Sequence, residues 1–326
     1  MKKTIHLLSN GKLKRKDNTL YFINEKGEKQ TIPIHVISDI NCIGRVTVSS
    51  QAVAYCMKEG LIINFFNKYG FYEGSLYPKI QLNAGEVVVK QTEHYLDKTK
   101  REYIAKEFVE GIRYNILKTM KYYRRKRKSN ELEKYIDNIG KVDINGNIQQ
   151  IMSSEGRIWD NFYQSFNIIL KRFGFSKREI RPPKDEVNSL LSYGNSLLYT
   201  SVLGELYRTY LYPSVSYLHE PATRRFSLSL DIADIFKPVI VDRVVFELVN
   251  NNKIKEKHFT YDAGVLLNDS GKRIFLKEYD KKLESTIKHP TLNKYVSYKY
   301  LLRLEGYKLI RHLFNDQKYN SFKMWW

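Results

Sequence analysis

The sequence predicts an α+β protein, in which a small β-rich N-terminal domain is followed by a larger, mostly α-helical C-terminal domain. Short β-branched segments separated by turns fill residues 4–77, whereas residues 88–212 carry long runs with helical spacing and without clusters of proline or glycine. The length of 326 residues also suits two domains. We therefore expect domains at residues 1–80 and 88–326, joined by a linker at 81–87.

Seven segments of the first domain have the β-branched and aromatic composition of strands. They are TIHLL, TLYFI, KQTIPI, ISDINCI, RVTVS, LIINFF and GFYEGSLY. One helix is expected between them in SSQAVAYCMKEG, where Ser49 or Ser50 supplies the N-cap and Gly60 the C-cap. Seven strands in a small domain leave sheet edges that need cover, either from a second copy or from the chain itself.

The second domain shows its strongest helical pattern in EHYLDKTKREYIAKEFVEGIRYNILKTMKYYRRK. The basic run KYYRRKRK at residues 121–128 fits both the solvated end of a helix and a contact with phosphates. Further along, GVLLNDSGKRIFL predicts a hairpin around NDSG. The segment YKYLLRLEGYKLIRHLF predicts a final amphipathic helix.

The charge of the chain is strongly positive, with 55 Lys and Arg against 35 Asp and Glu and a formal net charge of +20. This surplus favours a polyanionic partner, with nucleic acid ahead of an anionic membrane, although a merely basic protein is the alternative. Cys42 and Cys56 form neither a disulfide framework nor a zinc-finger spacing, so we expect a reducing cytoplasm. No segment approaches the length of an apolar membrane span.

Glu155 is the first candidate functional residue, because it lies on an apolar helix face. In IMSSEGRIWDNFYQSFNIILKRF it precedes, by one helical turn, the stripe formed by Trp159, Phe162, Phe166, Ile169 and Phe173. A carboxylate buried there needs a cation, a hydrogen-bonded partner or a raised pKa. The alternative is that a helix begins nearby and Glu155 lies in its first turn, where the helix dipole favours anions.

Three more candidates lie in HEPATRRFSLSLDIADIFKP, residues 219–238. Asp231 and Asp234 share one side of a predicted helix, which Ser227 or Ser229 could cap. His219 precedes that helix in an extended or turning segment. An ordinary amphipathic helix with outward-facing acids, and a structural histidine, would give the same pattern.

Together these residues have the composition of a divalent-cation site. One imidazole combined with carboxylate oxygens suits Mn²⁺ or Mg²⁺, and such an ion reconciles acidic groups with a polyanionic substrate. The HExxH, GxxxxGK[ST] and G-x-S-x-G patterns are absent from the sequence, so zinc-protease, P-loop and serine-hydrolase chemistry are not indicated.

The stretches SSEGRIWDNFY, NSLLSYGNSLLYT and HEPATRRFSLSLDIADIFKPVIVDRVVF resemble the CRISPR-associated adaptation integrase, a family of endonuclease-like proteins that insert spacers into the CRISPR repeat array. The resemblance covers essentially the whole chain. It implies that Glu155, His219 and Asp234 bind the divalent metal, and that Asp231 is a close support or an alternate ligand. Many relatives carry Glu where this chain has the shorter Asp234.

The resemblance also implies a phosphoryl transfer, in which the 3′-hydroxyl of a short DNA attacks a phosphodiester at the leader–repeat boundary without a covalent protein intermediate. Hydrolysis of branched or single-stranded DNA, and sometimes RNA, is the same chemistry with water as the nucleophile. The expected partners are double-stranded or branched DNA, a second copy of the chain bound through the β-rich domain, and a small ferredoxin-like CRISPR adaptation protein.

Several further residues are candidates for the surroundings of the site. Those for phosphate contact are Arg224, Arg225, Lys237 and Arg243, for which surface cations or ion pairs are an equal alternative. Asn188 and Tyr193 are candidates to line the site. Two other functions stay open: a stand-alone, metal-dependent, structure-selective nuclease, and a non-catalytic nucleic-acid-binding protein in which Glu155 and Asp234 pair with arginines.

Overall fold

A computed structural model describes residues 2–79, 84–180, 182–221, 226–262 and 264–326. The chain divides into two compact units, Met1–Gln81 and Leu82–Trp326. The first is rich in strands and the second is mainly helical, which confirms the predicted α+β class. The first helix of the second unit begins at Gly85, so the last three residues of the expected linker 81–87 are helical. Within the described ranges, no helix is both long and apolar enough to cross a bilayer.

The first unit contains eight strands among its described residues, together with one α-helix and a short 3₁₀ helix at Ile34–Val36. The strands are β1 (Lys3–Leu7), β2 (Gly11–Lys16), β3 (Thr19–Asn24), β4 (Lys29–Ile32), β5 (Ile37–Cys42), β6 (Val46–Val48), β7 (Ile62–Phe66) and β8 (Tyr72–Leu76). The helix is α1 (Ser50–Lys58), whose predicted cap is confirmed because the Ser49 hydroxyl accepts from the amide of Ala52 at 3.3 Å. Each of the seven predicted segments contains a strand.

The strands form two four-stranded sheets. One has the order β1-β5-β7-β8, with β1, β5 and β7 parallel and β8 antiparallel to β7. The other has the order β4-β3-β2-β6, with β2, β3 and β4 antiparallel and β6 parallel to β2. Their shared core also holds Cys42 and Cys56. Burial raises the pKa of Cys42 to about 12 and that of Cys56 to about 11, so both remain protonated thiols.

The second unit contains ten α-helices among its described residues. They are α2 (Gly85–Leu96), α3 (Lys98–Arg127), α4 (Glu131–Gly140), α5 (Ile148–Gln164), α6 (Phe166–Ile169), α7 (Glu186–Leu206), α8 (Ser227–Phe236), α9 (Val241–Asn250), α10 (Asp269–Glu284) and α11 (Tyr298–Leu313). A 3₁₀ helix spans Glu256–His258. Two short antiparallel pairs join β9 (Phe259–Thr260) to β10 (Leu266–Leu267), and β11 (Thr286–Lys288) to β12 (Tyr295–Ser297).

One prediction for this unit is wrong and another is confirmed. The segment NDSG does not turn a hairpin, because Asn268 caps α10 by accepting the amide of Gly271 at 3.0 Å. The same residues that favour tight turns also favour helix N-caps, and here the cap forms. The predicted final helix is present as α11.

The long helix α3 ties the helical unit together, since it packs on α2, α4, α5 and α8. The buried amide of Asn115 donates to the carbonyls of Ile235 and Phe322, both at 3.0 Å, and accepts from the amide of Met324 at 2.8 Å. Gly111 permits this close approach, because a Cβ there would lie 2.4 Å from the Ser321 hydroxyl oxygen. Helix α8 and residues 321–324 are therefore both fixed to α3.

Candidate active site

Glu155 lies in the middle of α5. That helix begins with a capping box between Asn147 and Gln150, so Glu155 is two turns from its start and the first-turn explanation does not apply. Its side chain is half-buried. Burial and, next, the charge of Asp234 raise the pKa of Glu155 to about 7, against the lowering effect of nearby cations. The carboxyl is therefore a weak acid that a nearby cation would ionise.

Asp231 and His219 form the best-defined contact of the site. The Asp231 side chain is fully buried and accepts three backbone N–H groups, from Tyr217 at 2.8 Å, Leu218 at 3.1 Å and His219 at 3.1 Å. Its Oδ1 also lies 2.7 Å from Nδ1 of His219. Asp231 has no donor of its own when ionised, so Nδ1 carries the proton and donates it. The other ring nitrogen, Nε2, is then the atom through which the ring, once neutral, could bind a cation.

This contact also sets the charge of His219. Burial lowers the pKa of His219, but the hydrogen bond to Asp231 and the negative charges of Asp231, Asp234 and Glu155 together outweigh it and raise the pKa to about 9. In the absence of a metal, the imidazole is therefore protonated at neutral pH. Binding a cation through Nε2 would release that proton.

Helix α8 is buried around its whole circumference. Asp234 is 5% exposed and Asp231 is inaccessible to solvent, so an amphipathic helix with outward-facing acids is excluded. Neither predicted serine is the cap, because the N-cap position is Phe226, whose side chain makes no capping hydrogen bond. Asp234 instead forms an ion pair with Lys237, one turn later.

Lys237, which follows α8, also contacts α5, the helix that carries Glu155. Its Nζ lies 5.5 Å from the centroid of the Trp159 ring, and Trp159 is one turn after Glu155 on α5. The charge of Lys237 lowers the pKa of Glu155 as well. The ammonium group therefore offsets the charge of two carboxylates that come from different helices.

The structure adds two residues, Asp242 and Tyr163, that the sequence did not indicate. Asp242, at the start of α9, is buried, and this burial raises its pKa to about 8 in spite of Lys237 and Arg178. The neighbouring charges also affect Tyr163, because burial and then the charge of Asp242 raise its pKa to about 12. The acid within the apolar run VIVDRVVF was the available signal for Asp242. We call Glu155, Asp234 and Asp242 the acid cluster.

The side chains of the site fit a divalent cation chemically, but they are not arranged around one. Across the described ranges, no three His, Cys, Asp or Glu side chains form a group that could hold an ion as they stand. The ammonium of Lys237 already occupies an oxygen of Asp234. The donor set nonetheless offers two carboxylates, of which Asp234 raises the pKa of Glu155, and an imidazole whose Nε2 has no hydrogen-bond partner in the part of the chain that the structure describes.

The remaining candidates lie in different places. Arg224 and Arg225 fall outside the described residues. The guanidinium of Arg243 lies 4.9 Å from the centroid of Tyr122, on α3, rather than in the acid cluster. Asn188 fastens residues 177 and 178 to the start of α7, since its side chain donates to Lys177 and Asp185 and accepts from Arg178. Tyr193 is buried with its ring against Phe275.

Comparison with known proteins identifies the family. Residues 5–281 match the family model described as CRISPR associated protein Cas1. The chain is 49% identical to the CRISPR-associated protein Cas1 1 of Methanobrevibacter ruminantium, over 100% of this chain and 99% of that protein. It is 46% identical to the CRISPR-associated endonuclease Cas1 of Fusobacterium nucleatum subsp. nucleatum, over 100% of this chain and 98% of that protein.

A solved structure agrees with the sequence comparison. A CAS1 protein from Thermotoga maritima superimposes with a TM-score of 0.86 at 38% identity, covering 98% of this chain and 100% of that one. Similarity in sequence and in fold thus extends over nearly the entire length, and the range matched by the family model contains the positions of the acid cluster. The chain belongs to the family of the CRISPR-associated protein Cas1.

Proposed function

We propose that this protein is a metal-dependent DNA endonuclease and integrase, which inserts spacer DNA into a CRISPR array. The observation that carries the proposal is the meeting of Glu155, His219 and Asp234, from three separate elements, in one set of coupled charges. Membership of a family whose relatives are named endonucleases supports the activity. The cofactor is a divalent cation, for which the oxygen-rich donor set favours Mn²⁺ or Mg²⁺.

In this proposal the ligands are Glu155, Asp234 and Nε2 of His219, and Asp231 is a positioning residue. When bound, the cation supplies charge that stabilises the phosphate oxygens in the transition state. The Asp231 carboxylate accepts the hydrogen bond from Nδ1 and so keeps a proton on that nitrogen. The opposite ring nitrogen, Nε2, therefore points away from Asp231. Both oxygens of Asp231 are already occupied by four donors, which argues against Asp231 as a direct ligand.

The reaction that this site would serve is a transesterification. A 3′-hydroxyl oxygen bonds to the target phosphorus and loses its proton, while the bond between that phosphorus and the original 3′ oxygen breaks, and the departing oxygen takes up a proton. Lys237 is the residue best placed to contact the phosphate, because it lies beside both ligand carboxylates. With water as the nucleophile, the same residues hydrolyse DNA.

The proposed assembly partners are DNA, a second copy of the chain and a small ferredoxin-like adaptation protein. The net charge of +20 supports a polyanionic substrate. For the second copy, the β-rich unit offers sheet edges at β4, β6, β1 and β8. Size-exclusion chromatography with light scattering, with and without the small partner, tests both assemblies.

One observation favours a different function. Asp234 is already paired with Lys237, and no ready cation site exists among the described residues. In a non-catalytic nucleic-acid-binding protein, the ion pair between Asp234 and Lys237 would be permanent. Lys237 would then have the role that the sequence analysis gave to an arginine. In the proposed integrase, by contrast, Asp234 could hold a cation only if Lys237 released it.

The deciding experiment incubates the protein with a short 3′-hydroxyl duplex and a supercoiled plasmid that carries a repeat, with Mn²⁺, Mg²⁺ or chelator. The small partner is included in a parallel set. Glu155→Gln and His219→Ala are compared with Glu86→Gln, a matched change at an exposed position of α2. We expect metal-dependent joined product from the wild type and from Glu86→Gln, and none from the two site variants.

The other outcomes separate the alternatives. Cleavage without joining, in the presence of the partner, would identify a stand-alone structure-selective nuclease. DNA binding with neither product would favour the non-catalytic protein. Wild-type activity in Glu155→Gln or His219→Ala would overturn the site assignment itself.

A further inference from the structure

A groove runs along the exposed face of α3, away from the acid cluster. It encloses a cavity of about 490 Å³ and is lined by Tyr114, Leu117, Lys118, Lys121, Tyr122, Arg125 and Trp326. The six residues from α3 have the spacing i, i+3, i+4, i+7, i+8 and i+11, which is a single helix face. We call this surface the α3 groove.

The α3 groove alternates aromatic rings with cations. Tyr114, Tyr122 and Trp326 are 39%, 43% and 39% exposed, so three large rings face solvent in one cavity. The three cations of the lining, Lys118, Lys121 and Arg125, form no ion pair with any acid in the described part of the chain. Unpaired cations between exposed rings have no evident role in the stability of the fold, and they suit a ligand with both negative charge and flat apolar faces.

The surface continues past Tyr122 into a second cavity of about 280 Å³. Here the Arg243 guanidinium lies 4.9 Å from the ring centroid of Tyr122, and Lys126 and Lys282 also line the wall. Burial and then the charge of Arg243 lower the pKa of Lys282 to about 7. Three cations and one acid, Glu247, line this cavity, so it carries an excess of positive charge that a polyanion would relieve.

We propose that the α3 groove binds a single-stranded segment of DNA, with Tyr114 and Tyr122 stacking on unpaired bases and Lys118, Lys121 and Arg125 contacting phosphates. The proposal rests on DNA being the substrate. Only unpaired bases expose their faces to aromatic rings, whereas a duplex would use the cations alone. The groove would hold a strand outside the acid cluster and so select DNA that has single-stranded ends or branches.

The test measures equilibrium binding of labelled oligothymidylate to the full chain by fluorescence anisotropy, with chelator present. The Tyr114→Ala/Tyr122→Ala protein is compared with Tyr210→Ala/Tyr295→Ala, which removes two exposed tyrosines that do not line the groove. Loss of base stacking should weaken binding by the first variant about 10-fold or more, and the second should bind as the wild type does. Tyr114→Phe/Tyr122→Phe keeps both aromatic rings and should bind normally. The loss of binding in the Ala variant would then be due to the missing rings rather than to the missing hydroxyls.

An abasic oligomer of equal length separates stacking from charge. It should bind more weakly than oligothymidylate and should not distinguish Tyr114→Ala/Tyr122→Ala from the wild type. Replacing Lys118, Lys121 and Arg125 with Gln should reduce the slope of log affinity against log salt by about 2, since each phosphate contact on a single strand contributes about 0.7.

Several results would overturn the proposal. They are unchanged binding in the Tyr→Ala protein, an equal loss for abasic or duplex DNA, and a loss confined to single-stranded RNA. Because no metal is present, the measurement does not depend on catalysis, and it is repeated in His219→Ala. Normal single-strand binding by His219→Ala, and by a wild-type protein that can neither cut nor join DNA, would contradict the proposed function only in the second case, and would support the α3 groove proposal in both.

Discussion

Replacing Asp231 with Asn tests the central contact of the site without changing its shape. The carboxylate accepts four hydrogen bonds, two at each oxygen. An amide keeps one oxygen and turns the other acceptor into an NH₂ donor, so two of the four donors lose their partner. Hydrogen bonds to charged groups contribute about 1.5–3 kcal/mol each, so the free energy of unfolding should fall by about 3–6 kcal/mol.

The same change acts on His219. Without the charge and the Nδ1 hydrogen bond of Asp231, the pKa of His219 should fall from about 9 towards its usual 6.5. Because the folded-state pKa is raised in the wild type, protonated His219 stabilises the fold fully below pH 6.5, and this contribution is lost as pH rises through about 9. The stability difference between wild type and Asp231→Asn should therefore narrow over that range of pH.

Two assays measure these effects: denaturant unfolding at several pH values, and NMR titration of the His219 ring. Asp137→Asn, at an exposed position in α4, is the matched control and should change stability by less than about 0.5 kcal/mol. A His219 pKa that stays near 9 in Asp231→Asn, with less than about 1 kcal/mol of lost stability, would refute the assignment of Asp231 as the residue that orients the imidazole.

Three other perturbations have clear expected outcomes. Lys237→Gln removes the ammonium group that competes for Asp234, so calorimetry should show tighter Mn²⁺ binding to the DNA-free protein, and unchanged or weaker binding would contradict this. Asp242 has a raised folded-state pKa of about 8, so the wild type should lose stability relative to Asp242→Asn as the pH rises from 4 to 8. Parallel curves of unfolding free energy against pH would count against a buried carboxyl that ionises in this range. Gly111→Ala should destabilise by about 1–3 kcal/mol because its Cβ would overlap a neighbouring side chain, whereas Gly156→Ala, with open space, should be neutral or stabilising; equal effects would show that the packing is looser than described.

Sequence patterns predicted the strands well where one face is buried and the segment is β-branched. Strand β2 was missed because GKLKRK carries four cations, and only Leu13 identifies its inward face. A strand with a single core residue has almost no periodic signal. The failed hairpin at NDSG has a similar cause, since a turn and a helix cap use the same short polar residues and only the surrounding packing decides between them.

For the site, local patterns identified Glu155, Asp231 and Asp234 as unusual, and the family resemblance assigned their roles. Asp242 was missed because an acid in the first turn of a helix is ordinary, since the helix dipole favours anions there, and its burial depends on what packs around α9. The hydrogen bond between Asp231 and His219 depends on the path of residues 217–219 over the start of α8. No spacing rule contains that path.

The hydrogen bonds of Asn115 imply an order of events during synthesis. This one amide joins α3 both to Ile235 and to Phe322 and Met324. Phe322 and Met324 are synthesised after every proposed ligand. A growing chain would therefore carry all of its ligands before α3, on which α8 packs, gained its hydrogen bonds to these two residues. The proposed strand-joining activity would then depend on the docking of residues 321–324 against α3, and chains that lack this docking would be poor nucleases.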